Sequence, residues 1–104
     1  MNRTLLFAAL VAAVPLSALA QDAGKAFMDA DQKMMQAMHA VPMTGDADKD
    51  FVAMMIPHHQ GAIDMAKIEL QYGKDPKLRA MAEAIVKAQE EEIAEMKAWQ
   101  AANP

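Results

Sequence analysis

Apolar residues recur at helical spacing along most of this chain, and no run alternates with period two for long enough to make a strand. Three helices are predicted between a few well-placed breakers. The first spans about Asp22 to Val41 and ends at Pro42. A loop of Met43, Thr44 and Gly45 follows, and Asp46, Asp48 and Asp50 then gather where a helix N-terminus favours negative charge. The second helix is expected from about Ala47 to Tyr72, stopping at Gly73 as its C′ residue. Asp75 as N-cap and Pro76 at N1 open the third, which reaches about Ala101. Connections this short favour up-down neighbours, so the expected fold is all-α, an antiparallel three-helix bundle. Three helices leave a groove that a second copy would cover, which makes a homodimer one expected partner.

The N-terminus breaks the helical pattern. Arg3 precedes an uncharged stretch from Leu5 to Val14, then Pro15, Ser17 and the small-residue box Ala18-Leu19-Ala20. That order predicts a secretory signal peptide over residues 1–20, cleaved near Ala20, with one helical domain over residues 21–104. The mature protein is then expected in the periplasm or outside the cell. The apolar stretch is too short for a membrane span and no later one approaches that length. Losing Arg3 moves the net charge from −4 to −5, with acidic residues scattered. A nucleic-acid partner would call for a basic face, so none is expected.

Composition sharpens the picture. The chain holds 11 methionines and no cysteine. Beyond the leader, leucine occurs only at Leu70 and Leu78, so methionine is expected in the core positions that leucine ordinarily fills. Small exported domains often supplement a modest core with disulfides, metal or oligomerisation. Disulfides are excluded here.

Two hexapeptides share the pattern Met-Met-x-x-(Met or His)-His: Met34 to His39 and Met54 to His59. Residues four apart lie on one helix face. Met35 therefore stands beside His39, Met54 beside His58, Met55 beside His59 and Met34 beside Met38, with Met65 two turns beyond His58. Thioether and imidazole together suit Cu(I), and by the same softness Ag(I), far better than Mg, Ca or Mn. The adjacent histidines point about 100° apart, so one is expected to face the core and the other a groove. Pro57, inside the second helix, frees the carbonyl of Ala53 and is expected to kink the helix beside the pair. A methionine stripe also serves as flexible core filling, and His39 alone suits a helix terminus.

On the third helix the stripe Leu78, Met81, Ile85, Gln89, Glu92, Met96 and Trp99 is expected to form the seam. Gln89 and Glu92 interrupt it, and buried polar groups need partners. One of the two is expected to accept a hydrogen bond from an imidazole of His58 or His59 and fix its tautomer behind the metal ligands. No Glu-x-x-His, His-Glu-x-x-His, cysteine nucleophile or glycine-rich phosphate loop is present, and catalysis is not expected.

The segment Met54 to Ala66, MMIPHHQGAIDMA, resembles a family of exported helical domains of unknown function marked by M-I-P-H-H-x-x-A-x-x-M-A, which includes a copper-resistance protein. The resemblance extends to Trp99 through Gln89, Glu92, Ile93 and Met96. It implies ferritin-like helical packing and copper binding through Met and His, with Met54, Met55, His58, His59 and Met65 on the motif. Met34, Met35, Met38 and His39 lie outside it and rest on spacing. Members with a fourth helix make a full bundle, which a three-helix chain would complete by dimerising.

The expected function is therefore a Cu(I) metallochaperone or copper buffer, handing its ion to a copper efflux or resistance protein. The alternative is a structural or protein-interaction module whose Met-rich face docks a partner helix. A third class is a redox enzyme using bound copper.

Overall fold

A computed structural model describes residues 9–104. It contains α1 (Leu16–His39), α2 (Ala47–Tyr72) and α3 (Pro76–Ala102), and no strand among the described residues. The all-α three-helix bundle expected from the pattern is the observed fold. The helix starts follow their caps. Asp46 accepts a hydrogen bond from the Lys49 N–H at 3.1 Å, and Asp75 accepts one from the Leu78 N–H at 2.9 Å, with Pro76 at the first helical position. α2 runs without interruption through Pro57.

Two local expectations need correction. α1 begins at Leu16 rather than near Asp22, so the small-residue box at Ala18 to Ala20 lies inside a helix. Those residues are themselves good helix formers, and Leu16, Leu19, Ala20 and Ala23 lie beside Gln71 to Lys74 around a cavity of about 350 Å³. Residues 1–8, the charged start of the expected leader, lie outside the described residues. Gly73 does end α2, but with φ −71° and ψ 151° it is extended rather than left-handed. The end of α2 is instead closed by Arg79, whose Nη1 donates to the carbonyls of Leu70 at 2.7 Å and Gly73 at 2.9 Å. A cation on the last carbonyls of a helix offsets both their missing hydrogen bonds and the helix dipole. Replacing Arg79 by methionine keeps the stem and removes both bonds. We expect a loss of about 2 kcal/mol, read as a melting midpoint roughly 8–16 °C lower; an unchanged midpoint would mean water replaces the guanidinium without cost.

The turn before α2 is held by a carboxylate. Asp50 accepts from the Thr44 N–H at 2.9 Å, the Thr44 hydroxyl at 2.8 Å and the Gly45 N–H at 3.0 Å. Gly45 has φ +86°, a conformation that glycine adopts without steric cost. The hydrogen bonds from Thr44 hold the Asp50 carboxyl below its ordinary range. A carboxylate with a lowered folded-state pKa stabilises the fold above its unfolded pKa and stops doing so as pH falls through the folded one. The stability gap between the protein and Asp50→Asn should therefore be full above about pH 4 and close on further acidification. Urea melts across that range check it, and a gap independent of pH would remove the carboxylate's charge as the cause.

α2 is the shared element. α1 and α3 each pack against it and make no helix–helix contact with one another. The interior is built from small residues: Ala30 on α1, Val52, Gly61, Ile63 and Ala66 on α2, and Ala82 on α3. Ile63, 2% exposed, is the one large side chain fully buried among the described residues. Methionine does not take leucine's place in this core. Met34, Met38, Met54, Met55, Met65 and Met96 are half-buried, while Met28, Met35, Met43 and Met81 are exposed. Helices that share one central neighbour through Ala and Gly leave no closed interior for long side chains to fill.

Candidate metal centre

Three contacts fix how α2 is oriented. Gly61 faces α1: a Cβ added there would run into the Met34 side chain, with Cγ at 2.7 Å and Sδ closer still. Lys33 of α1 lies 3.9 Å from Asp64 on the same side of α2. His59 faces α3, where its Nε2 is hydrogen-bonded to the Glu92 carboxylate. At 100° per residue, positions 59 and 61 point about 160° apart. α1 and α3 therefore flank α2 on nearly opposite sides.

This arrangement separates the two histidines. His59 is half-buried, with 13% of its side chain exposed, whereas His58 is exposed. Their ring centroids are 6.3 Å apart with planes inclined by 60°. Helical geometry puts Met55 on the side of His59, toward α3, and puts Met54 and Met65 on the side of His58, nearer α1. The two methionine–histidine pairs of α2 thus address different seams. Met34 lies at the α1 seam against Gly61 and lines a groove of about 230 Å³ with Ala37, Pro57 and Ile93. Met38 is half-buried, Met35 is 41% exposed, and His39 is the exposed last residue of α1.

Glu92 reaches its histidine from an unexpected position. Ile85, Gln89, Met96 and Trp99 of the expected stripe are half-buried, and Ala82, Val86 and Ile93 join them, so the centre of the seam is shifted from the expected stripe. Leu78 and Met81 remain 48% and 50% exposed. The reason is Ala82, whose small side chain lets α3 approach α2 through its own position and turns its larger neighbours outward. Glu92, about half exposed, lies on the rim and leans in to His59. Gln89 is half-buried in the seam.

The chemistry at His59 is specific. In the neutral imidazole, a hydrogen bond donated to the Glu92 carboxylate puts the proton on Nε2 and the lone pair on Nδ1. Nδ1 is buried and has no hydrogen-bond partner. A lone pair held away from water without a partner costs free energy that a soft cation could recover. No group of three or more His, Asp or Glu side chains suited to a metal occurs among the described residues.

Sequence reasoning missed Gly61, Asp64 and Arg79. Asp64 looks like a surface partner of Lys67, but it takes Gln60 at 3.0 Å and Lys33 from α1. A lone glycine inside an otherwise unbroken helix was the available signal for a close approach.

These features define a helical domain with an anchored imidazole and a methionine-bearing surface. The family model described as "Domain of unknown function (DUF305)" matches residues 13–100, and the chain belongs to that family. It is also similar to an uncharacterized protein of Acanthamoeba polyphaga mimivirus, 43% identical over 49 residues, which make up 47% of this chain and 32% of that protein. The chain thus spans about a third of the length of that relative.

Proposed function

We propose that this protein is a periplasmic Cu(I)-binding protein, a metallochaperone or copper buffer in copper tolerance or trafficking. The observation that carries the reading is His59: Nε2 tied to Glu92, Nδ1 buried without a partner, and Met55 one turn below. A carboxylate behind an imidazole fixes its tautomer and raises its basicity, the arrangement that metal-bound histidines use. Met55 and His59 would hold the ion on the α3 side. His58, Met54 and Met65, with Met34 and Met38 across the seam, would offer a second and more open set. Met35 and His39 are the outermost candidates. An exposed set of soft ligands suits stepwise transfer to a copper efflux or resistance protein, and Ag(I) would follow the same route.

Competition with a chromogenic Cu(I) chelator of micromolar affinity tests this. The protein should withdraw copper from the chelator, and the pair His58→Ala with His59→Ala should not. Met54→Leu with Met55→Leu should weaken withdrawal while keeping the apolar volume. A parent protein that takes no copper ends the reading. Variants that bind like the parent would move the site elsewhere on the methionine surface.

A further inference from the structure

Three observations fix the register of α2 against α3. His59 meets Glu92 near the middle of the seam. Toward the start of α2, Val52 and Trp99 line one cavity, and toward its end Ala66 and Ile85 line another. In an antiparallel pair each step forward on one helix is a step back on the other, and all three pairs obey the same offset. Between the first two levels, therefore, Met55 falls opposite Met96, one turn from His59 and Glu92. Both methionines are half-buried. The next level on the other side of His59 sets Ala62 against Gln89. From Val52 to Ala66, the level of Met55 and Met96 is the one with sulfur on both helices.

Helix geometry turns that level toward the imidazole. Side chains on a helix tilt toward its own N-terminus. In an antiparallel pair the tilt carries His59 toward the level of Met55 and Met96, and carries Met96 back toward the level of His59. Met55 has a flexible stem that can turn its sulfur the same way. The ring they surround holds the one buried side-chain nitrogen or oxygen without a partner among the described residues, Nδ1 of His59. We propose that Met96 is a metal ligand, completing with Met55 and His59 Nδ1 a site of two thioethers and one imidazole for a single Cu(I) or Ag(I) ion. This rests on the copper reading and deepens it, because α3 then supplies a ligand as well as the carboxylate behind one. Two soft sulfurs and an imidazole suit a soft monovalent ion. All three donors are neutral, and Glu92 behind the ring supplies the balancing charge. With ligands on both helices, the bound ion joins α2 to α3 through the middle of their seam.

The test first silences the open set on the other side of α2 with His58→Ala, Met54→Leu and Met65→Leu together. That background protein should still take one equivalent of Cu(I) from a chelator. X-ray absorption at the copper edge should count two sulfur neighbours and one nitrogen, a readout that needs no change at Met96. Adding Met96→Leu should weaken binding by about 100-fold, at least what losing a group that only orients a ligand costs. It should also leave one sulfur in the spectrum. Leucine keeps the apolar volume, so helical circular dichroism should be unchanged. Met81→Leu, on the exposed side of α3, should alter neither affinity nor spectrum. A background protein that binds copper with a single sulfur neighbour, or with an affinity indifferent to Met96→Leu, overturns the assignment of Met96 and leaves the copper reading standing. A background protein that takes up no copper overturns the His59 site and its third ligand together.

Discussion

Ile63→Ala should destabilise this protein more than any other single truncation, by about 2–5 kcal/mol. Ile63 is the one large side chain sealed from water among the described residues, and its neighbours in the interior are mostly alanine, glycine and valine. Removing three carbon atoms there leaves a gap between helix backbones that small side chains cannot swing in to fill. A domain of this size has about 5–15 kcal/mol of stability in all, so the loss is a large fraction of it. The melting midpoint should fall by roughly 8–40 °C. Ile63→Val, which removes one methyl group, should cost about 0.5–1.5 kcal/mol. Thermal or urea denaturation of both variants checks the ratio. If alanine and valine cost the same, Ile63 is not the centre of the packing.

Glu92→Ala should weaken Cu(I) binding by about 10- to 100-fold while leaving the fold nearly as stable as before. The two effects separate because of where Glu92 sits. Its side chain is about half exposed, so the hydrogen bond to His59 competes with water in the free protein and adds little to folding. Once a cation occupies Nδ1, the same carboxylate orients the ring and balances charge, and the loss of such a partner typically costs that range in affinity. Glu90→Ala, which alters an exposed carboxylate off the α2-facing side, supplies the control. Chelator competition gives the affinities and denaturation gives the stabilities. Equal affinities for Glu92→Ala and the parent would leave the His59–Glu92 pair a purely structural contact.

The second and third helices and their starts were legible from a few residues. Asp46 and Asp75 cap the helices they precede, and Pro76 occupies the first position it was expected to occupy. Those signals are local, carried by side chains that bond their own backbone, so tertiary context does not displace them. The shift of the α3 seam was not legible. Helical spacing marks an apolar stripe but cannot say which edge of it a neighbour covers, and Ala82 decided that by admitting α2 closely. The α1 boundary failed for a related reason: alanine and leucine at residues 18–20 satisfy a cleavage box and a helix equally well. The link between His59 and Glu92 was partly legible, because a polar residue interrupting an apolar seam calls for a partner. Gln89, nearer the seam's centre, was an equal candidate until the geometry chose the rim position. That the two Met–His pairs of α2 turn toward different helices followed from 100° per residue only once the neighbours' directions were known.

The central place of α2 has a consequence for how the molecule opens. A bundle whose helices all touch must break several interfaces to release one helix, whereas here α1 is joined to the rest through a single seam. Ala30 is its one buried residue among those described. Opening free energies in native proteins range from near zero at weakly held elements to the global value at the core. α1 can therefore lift from α2 while the hairpin of α2 and α3 stays closed, and the half-buried methionines of the two seams experience that event differently. Met34 and Met38 leave with α1; Met55 and His59 belong to the part that persists until the whole chain unfolds.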